Sequence, residues 1–395
     1  MKYMFISKEL NLTSGAGVGA RMHRDTLINL VGADNVFIVD VSVQAAPLKK
    51  ENYIAYGKYK NPFERIIRHI QGNVYLFSDN IIEDICSVIE SQNINFVFVD
   101  DSFFGRLVKK IKTKFPRLPV VSFFHDVKAE LFAIWIKRSC FIDKIDFMIG
   151  IKNEAINVKY TDKNIVLNQR EDELLFKHYN IHSDFYLPVC VDRNDCYIEK
   201  KPEDPYKETG KKHILFVGTS YYPNIEGIKW FYINVFKYVR QYYDLYIVGK
   251  GLECLKDYFD DDDVYVIGFC EDLSSFYIYS DIVIAPLTDG GGMKIKTAEA
   301  FSYGKVFLGS NESLQGYYEK LDLYKENTIK EKLIFLCDTA KRYKEVLEML
   351  KDTDVKKENP EIIDIFEEHF SPRAAKVYMK NIIDFAINDM QTPNK

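Results

Sequence analysis

The sequence predicts an α/β protein of two doubly wound domains, and three observations predict it. In the first half, short and continuously apolar runs alternate with stretches of helical period, as buried parallel strands and their crossover helices do. The same plan starts again at His213. Between the halves lies Leu187–Lys212, a polar stretch with three prolines and no sustained period. A chain of 395 residues has room for two or three domains, each burying its own core.

Taken in order, strands are expected at Tyr3–Ile6, Val36–Val41, Phe96–Val99, Val120–Phe124 and Phe147–Ile149. Helices are expected near Arg21–Leu30, Ile81–Glu90, Arg106–Lys114 and Lys128–Arg138. In the second half the strands are His213–Val217, Leu245–Val248, Val264–Ile267, Ile282–Ala285 and Val306–Leu308. Its helices fall near Ile225–Val239, Asp272–Tyr279, Lys294–Tyr303 and Arg342–Leu350. The tail from Glu361 to Asp389 is helical in pattern but broken at Ser371-Pro372. Proline suits the first turn of a helix, so Ser371 is expected to cap the last one. The domain boundaries that follow are 1–190, a linker over 191–212, 213–370, and a final helical segment over 371–395.

Composition narrows the function. A net charge of −5 argues against a general nucleic-acid binder. Residues 1–138 nevertheless carry 19 Lys/Arg against 14 Asp/Glu, a cationic half that suits anionic lipid, a phosphorylated acceptor, or no partner at all. The seven cysteines form no C-x-x-C pair, which reads as reduced thiols in the cytoplasm. The apolar run at the N-terminus is too short for a signal peptide, and no window approaches the ~20 apolar residues of a membrane span. Any meeting with a membrane is expected from its side.

The stretch Asp281–Gly304 (DIVIAPLTDGGGMKIKTAEAFSYG) carries the most chemistry. A buried-type strand ends at Pro286, Gly290, Gly291 and Gly292 follow, and a helical pattern opens near Met293. Strand, glycine turn and helix together present backbone N–H groups at the carboxyl edge of a sheet, where an anion is stabilised. Lys294 and Lys296 add charge there. Glu299 lies too deep in the helix to cap it, and its acceptor-only carboxylate suits a pair of hydroxyls. A plain loop followed by a solvated lysine face would also contain these residues.

Phosphates beside a diol describe a sugar nucleotide, and this stretch resembles the donor-binding segment of retaining glycosyltransferases of the GT-B fold, specifically glycosyltransferase family 4. The resemblance implies two Rossmann-like domains facing a cleft. The N-terminal domain would take the acceptor and the C-terminal domain the nucleotide sugar, with the final helix crossing back. The ribose-binding glutamate of the family falls on Glu299. Many members carry a second glutamate eight positions earlier, where this chain has Gly291. Many also place an Arg and a Lys after the first strand of the second domain; here Gly218 is followed by Thr219 and, further on, Asn224. Lys294 and Lys296 are the natural replacements, with Lys296 assigned a catalytic role on the departing phosphate. Gly249, in Gly249-Lys250-Gly251, and Gly268 end further strands whose loops would flank the base, although simple turns explain such glycines equally well.

In the first half, SGAGVGA (Ser14–Ala20) matches a dinucleotide fingerprint in Gly15-x-Gly17-x-x-Ala20, with Asp40 at the end of a strand about 20 residues on. Eight residues separate it from its strand, which disfavours a dehydrogenase. As a glycine-rich connection it suits a GT-B transferase, with Gly15, Gly17 and Gly19 near the donor phosphates; a plain loop is the alternative. His125-Asp126 follows an apolar strand, and related transferases often carry a His-Asp here near the donor sugar or acceptor. A helix cap is the other reading, since Asp is a good N-cap. The acidic run Asp260–Asp263 reads as a solvated turn. Lys58–Ile70 and Leu107–Arg117 are basic and amphipathic: solvated helix faces, or a site of membrane apposition.

The resulting expectation is a hexose transfer from a UDP- or GDP-linked donor to a glycan, lipid-linked or protein acceptor, retaining anomeric configuration, without metal or further cofactor. A GT-B partner subunit that binds glycan or protein without catalysis is the alternative, as is another sugar-nucleotide enzyme such as an epimerase.

Overall fold

The computed structural model describes residues 1–391 apart from 9, 12–14, 42–47, 58–61, 74–76, 133–140, 194–201, 260, 322–328 and 331. The chain divides into two compact units, Met1–Pro188 with Ala375–Lys395, and Val189–Ala374.

In the first unit the strands are β1 (Lys2–Ser7), β2 (Val36–Asp40), β3 (Leu48–Lys50), β4 (Tyr53–Ala55), β5 (Ile94–Val99), β6 (Val120–Phe124), β7 (Lys163–Val166) and β8 (Phe185–Tyr186). Their order is β3-β4-β2-β1-β5-β6-β7-β8, parallel except for the β3–β4 pair at one edge. The helices are α1 (Gly15–Val31), α2 (Pro62–Ile70), α3 (Asp79–Ser91), α4 (Gly105–Lys114), α5 (described over 128–132), α6 (Phe141–Tyr160) and α7 (Gln169–Tyr179). Ile85 and Ile89 of α3 and Leu107, Val108 and Ile111 of α4 share one core with Met4, Ile6, Val97 and Val99 of the sheet.

Two expectations change here. Phe147–Ile149 is not a strand but lies within α6. Short apolar runs do not separate helix from strand, and α6 hides its period by burying polar side chains. Asn153 accepts from Arg106 N at 3.0 Å, and Asn157 accepts from Ser122 Oγ at 2.7 Å. The strand at this place in the sheet is β7, which starts fourteen residues after Ile149. The glycine-rich stretch, in turn, is not a loop where it is described: α1 begins at Gly15, six residues before the expected start. Gly17, Gly19 and Ala20 are buried, and packing against the sheet outweighs the poor helix propensity of glycine.

The second unit has β9 (Lys212–Val217), β10 (Tyr243–Val248), β11 (Val264–Gly268), β12 (Ile282–Ala285), β13 (Val306–Gly309) and β14 (Ile334–Leu336), all parallel in the order β11-β10-β9-β12-β13-β14. Its helices are α8 (Tyr222–Asn234), α9 (Ser274–Tyr279), α10 (Ile295–Ser302), α11 (Asn311–Leu314), α12 (Tyr318–Leu321), α13 (Ala340–Leu350) and α14 (Pro360–His369). Strand order reverses between β9 and β12, the place where doubly wound sheets open a crevice at their carboxyl edge. Part of the expected linker is packed rather than free. Tyr206 is buried, stacks on His213 at 4.4 Å and donates to Phe276 O at 2.8 Å. One aromatic anchor in a polar stretch holds 204–211 against this unit. Nor is the acidic run merely solvated: Asp261 accepts from Tyr232 Oη at 2.7 Å and pairs with Arg240, and Asp263 pairs with Arg240 at 3.0 Å and with Lys211. Asp260 lies outside the described residues.

The last helix, α15 (Pro372–Gln391), starts as expected, with Ser371 Oγ accepting from Ala374 N at 3.2 Å. From Ala375 onward it belongs to the first unit. There the Phe385 ring meets Phe185 edge-on at 5.4 Å, and Asp389 pairs with Lys163 at 2.9 Å.

Candidate functional site

At the β9/β12 reversal the chain brings together most of the residues that the sequence marked for the donor. Gly218 follows β9, and α8 brings Asn224 back beside it. The amide of Asn224 donates to Thr219 O at 3.1 Å, which fixes its other end, Oδ1, as an acceptor. From the opposite side of the reversal, Lys296 in the first turn of α10 donates to that Oδ1 at 2.7 Å, its ammonium 4.6 Å from the Phe216 ring centroid. The remaining N–H donors of Lys296 have no partner among the described residues. One turn on, Glu299 accepts from Tyr277 Oη at 3.0 Å through Oε2, and its Oε1 has no partner among the described residues. Tyr277 itself stacks on Tyr303 at 5.1 Å.

Burial sets the electrostatics. It pushes the Lys296 ammonium down to about 7, against the pull of Glu299 and with help from Lys294. Burial likewise raises the Glu299 carboxyl, opposed by the Tyr277 hydrogen bond and by Lys296. Both side chains keep some exposure, so the cost falls when a ligand supplies their missing partners. An anion beside Lys296 and hydroxyl donors beside Glu299 are the partners that these two environments lack.

The other predicted donor residues divide. Gly249 has φ +137°, and a Cβ on it would stand 1.6 Å from Gly218 O, so the two strand ends meet only because it is glycine. In the GGG turn, Gly290 has φ +147° and Gly292 φ +59°, and Gly290 N already donates to Asp289 at 2.8 Å. Met293 is buried. Lys294 does not project toward a ligand as expected. Its ammonium bonds Gly291 O at 2.8 Å, Gly292 O at 3.0 Å and Glu312 at 2.6 Å, which uses all three donors to close the turn. The sequence missed Tyr277 and Phe216, which touch Glu299 and Lys296; both sit in ordinary apolar patterns.

The first unit holds a second polar cluster, at its own reversal between β1 and β5. Asp100, which follows β5, is fully buried; His23 Nδ1 of α1 lies 2.8 Å from its Oδ1 and Ser7 Oγ of β1 donates to its Oδ2 at 3.0 Å. His125, following β6, brings Nε2 to 3.2 Å from the same Oδ2. Phe123 stands edge-on to both imidazoles, at 4.4 and 4.8 Å. Burial alone would raise the Asp100 carboxyl, but His125 and His23 hold it at about 2. Burial lowers His23, whereas for His125 the charge of Asp100 outweighs burial and raises it. Asp126 does not join this cluster. It lies 3.6 Å from Lys128, and it is not the cap of α5 either. The N–H groups there go to Glu171 (from Val127, 3.0 Å) and Glu154 (from Lys128 and Ala129, 3.0 Å each). Gly19 is the nearest of the three N-terminal glycines to the cluster, with a Cβ position 3.6 Å from His125 Cε1. Neither His23 nor Asp100 was marked in the sequence. A carboxylate directly after a buried central strand was the available signal.

Two parallel-sheet domains, each with its polar residues at the strand-order reversal, define an α/β protein of the GT-B class. Solved structures agree over nearly the whole chain. The lipopolysaccharide outer core galactosyltransferase WaaB superposes with a TM-score of 0.65 at 14% identity, over 98% of this chain and 99% of that one. HepE from Anabaena, in complex with UDP and glucose, gives 0.60 at 9% identity over 97% and 99%. The E. coli structure described as trehalose-6-phosphate bound with UDP-2-fluoro glucose gives 0.64 at 10% identity over 100% of both chains. Residues 211–348 match the family model described as glycosyl transferases group 1, so the second unit carries a glycosyltransferase domain. No protein of curated function matches the sequence.

Proposed function

We propose that this chain transfers a sugar from a nucleoside-diphosphate donor to a hydroxyl of a glycan, lipid-linked or protein acceptor, with retention of anomeric configuration. The observation that carries the reading is the pairing, across the β9/β12 reversal, of an under-partnered Lys296 with an under-partnered Glu299 one turn away. Glu299 would hold the ribose diol, and Lys296 with the N-terminus of α10 would face the diphosphate. In the reaction the bond from C1 to the phosphate oxygen breaks with its electron pair on the diphosphate. The acceptor oxygen bonds C1, and its proton passes to the departing phosphate. Lys296 and the helix N-terminus stabilise the charge that grows there, the work a metal does elsewhere.

The acceptor is proposed to lie at a membrane surface. In α2, Phe63, Ile66, Ile67 and Ile70 are 77, 53, 53 and 81% exposed at helical spacing, in the half of the chain with the cationic excess. An apolar stripe on a basic unit fits the interface of an anionic bilayer from the cytoplasmic side. No described helix is long and apolar enough to cross one.

Gly291, standing where relatives carry a carboxylate near the donor sugar, favours a second reading in which the chain binds a nucleotide without transferring sugar. Release of UDP or GDP from a panel of sugar nucleotides, with and without EDTA and with glycan and lipid acceptors, separates the two. Turnover that survives EDTA is expected. Tight nucleotide binding with no turnover of any donor would favour the non-catalytic partner.

A further inference from the structure

The donor site does not explain why the first unit buries two imidazoles on one carboxylate. We propose that Asp100, fixed by His23 and Ser7, is a positioning residue that holds the Nε2 edge of His125 inward and presents its Nδ1 edge to a substrate oxygen. The inference rests on the transfer reading for its substrate, and on the geometry of this unit for the rest.

A carboxylate at this depth requires partners, and His23 with Ser7 already supplies two hydrogen bonds. Ser7 brings no charge and burial pushes His23 toward its neutral form, so the positive charge that offsets Asp100 comes from His125. Its ring is 8% exposed; Nε2 meets Asp100 as an ion pair at 3.2 Å without an aligned hydrogen bond, and Nδ1 has no partner among the described residues. That edge faces Gly19 of α1, where a Cβ would lie 3.6 Å from Cε1 and 3.8 Å from Nδ1; larger side chains at this position would crowd the edge. Phe123 fixes the planes of both rings. The charged groups that bear on His125 are Asp100 after β5, Asp101 beside it (paired with Lys8 at 2.8 Å), His23 on α1 and Lys128 on α5. The nearest of them, Asp100, favours the imidazolium, and an imidazolium N–H is a charge-assisted donor, roughly twice as strong as a neutral one.

If the charged ring acts on substrate, turnover falls as pH rises through the His125 titration. Removing the Asp100 charge moves that fall to lower pH. The experiment follows the Cε1–H resonance of His125 in the free protein, and the pH profile of nucleotide release from the sugar nucleotide turned over fastest. Asp100→Asn is expected to lower turnover about 10²-fold at neutral pH with little change in KM, within the range for a positioned acid or base. It should also shift the resonance titration and the alkaline limb downward together. His23→Ala should lose turnover and His23→Asn regain it, because the Asn amide donates from the place of Nδ1.

An unmoved His125 titration in Asp100→Asn, or an alkaline limb that stays while the titration moves, overturns the proposal. If Asp100→Asn does not fold, the His23 pair decides, and equal loss in both variants overturns it. If the wild-type protein turns over none of the panel, the transfer reading fails on its own. The His125 titration then still decides whether Asp100 governs this ring.

Discussion

Lys296 is the residue whose charge a ligand changes most. With its titration near 7 in the empty site, an anion beside it restores the proton. UDP binding should therefore take up a proton at pH 8, and affinity should fall as pH climbs from about 7 toward the ordinary lysine range. Calorimetry in buffers of different ionisation enthalpy measures the uptake, and Lys296→Met should abolish it. The same depression makes the unfolded chain the better proton binder above pH 7, so this residue's cost to stability is relieved across that window. Glu299→Ala removes acceptors for two hydroxyls at ~1.5–3 kcal/mol each and should weaken UDP binding by roughly 10²-fold or more, with the fold intact by circular dichroism. Unchanged affinity would take Glu299 out of the site. The placement of Lys296 and Glu299 together was legible because both stand at fixed spacing in one helix behind a glycine turn. Lys294 was misjudged, since a local pattern does not show that Glu312, eighteen residues later, turns back to meet it. His23 was illegible for the same reason: its partner Asp100 lies 77 residues away.

Among the elements, α2 makes the sharpest claim. Replacing Phe63, Ile66, Ile67 and Ile70 by serine should cost little stability, since these side chains are already exposed, but should abolish flotation with anionic liposomes. Loss of flotation on neutral and anionic vesicles alike would locate the binding in the apolar stripe rather than in charge. Equal flotation of variant and wild type would leave the stripe without that role. Gly249 carries the opposite kind of cost. Gly249→Ala has to relieve both a positive φ and the contact with Gly218 O, at ~1–3 kcal/mol for the backbone alone, so a fall in Tm together with weaker UDP binding is expected. Strands rich in β-branched and aromatic residues and buried throughout, such as β6 and β12, stand where their sequences put them. The element misread was α6, whose inward face is asparagine and glutamate. Of the strands that escaped notice, β3, β4, β8 and β14 are two or three residues long and β7 four, and helix α7, also unmarked, buries Glu171 and Asp172 on its inward face. Binary patterns carry elements whose burial is apolar and continuous, and lose those held by polar partners or by neighbours in the sheet.

For the whole molecule, the doubled plan was readable because two parallel sheets need two runs of strand–helix alternation, whatever their loops do. The return of the chain was readable only as a helix; what Phe385 and Asp389 touch is a matter of tertiary contact. Cutting the chain after Ser371 should lower the stability of the first unit, seen as faster hydrogen exchange in β7 and β8. The β9–β14 sheet should be left protected. Uniform loss of protection would contradict the division of the chain. The return also delays completion of the first unit during synthesis. The second unit is one contiguous stretch, whereas β7 and β8 of the first wait for residues made only after that whole stretch. A nascent chain of this protein thus keeps the β7–β8 edge of its first sheet uncovered while the second unit is made, and a chaperone that recognises exposed sheet edges has its longest opportunity there.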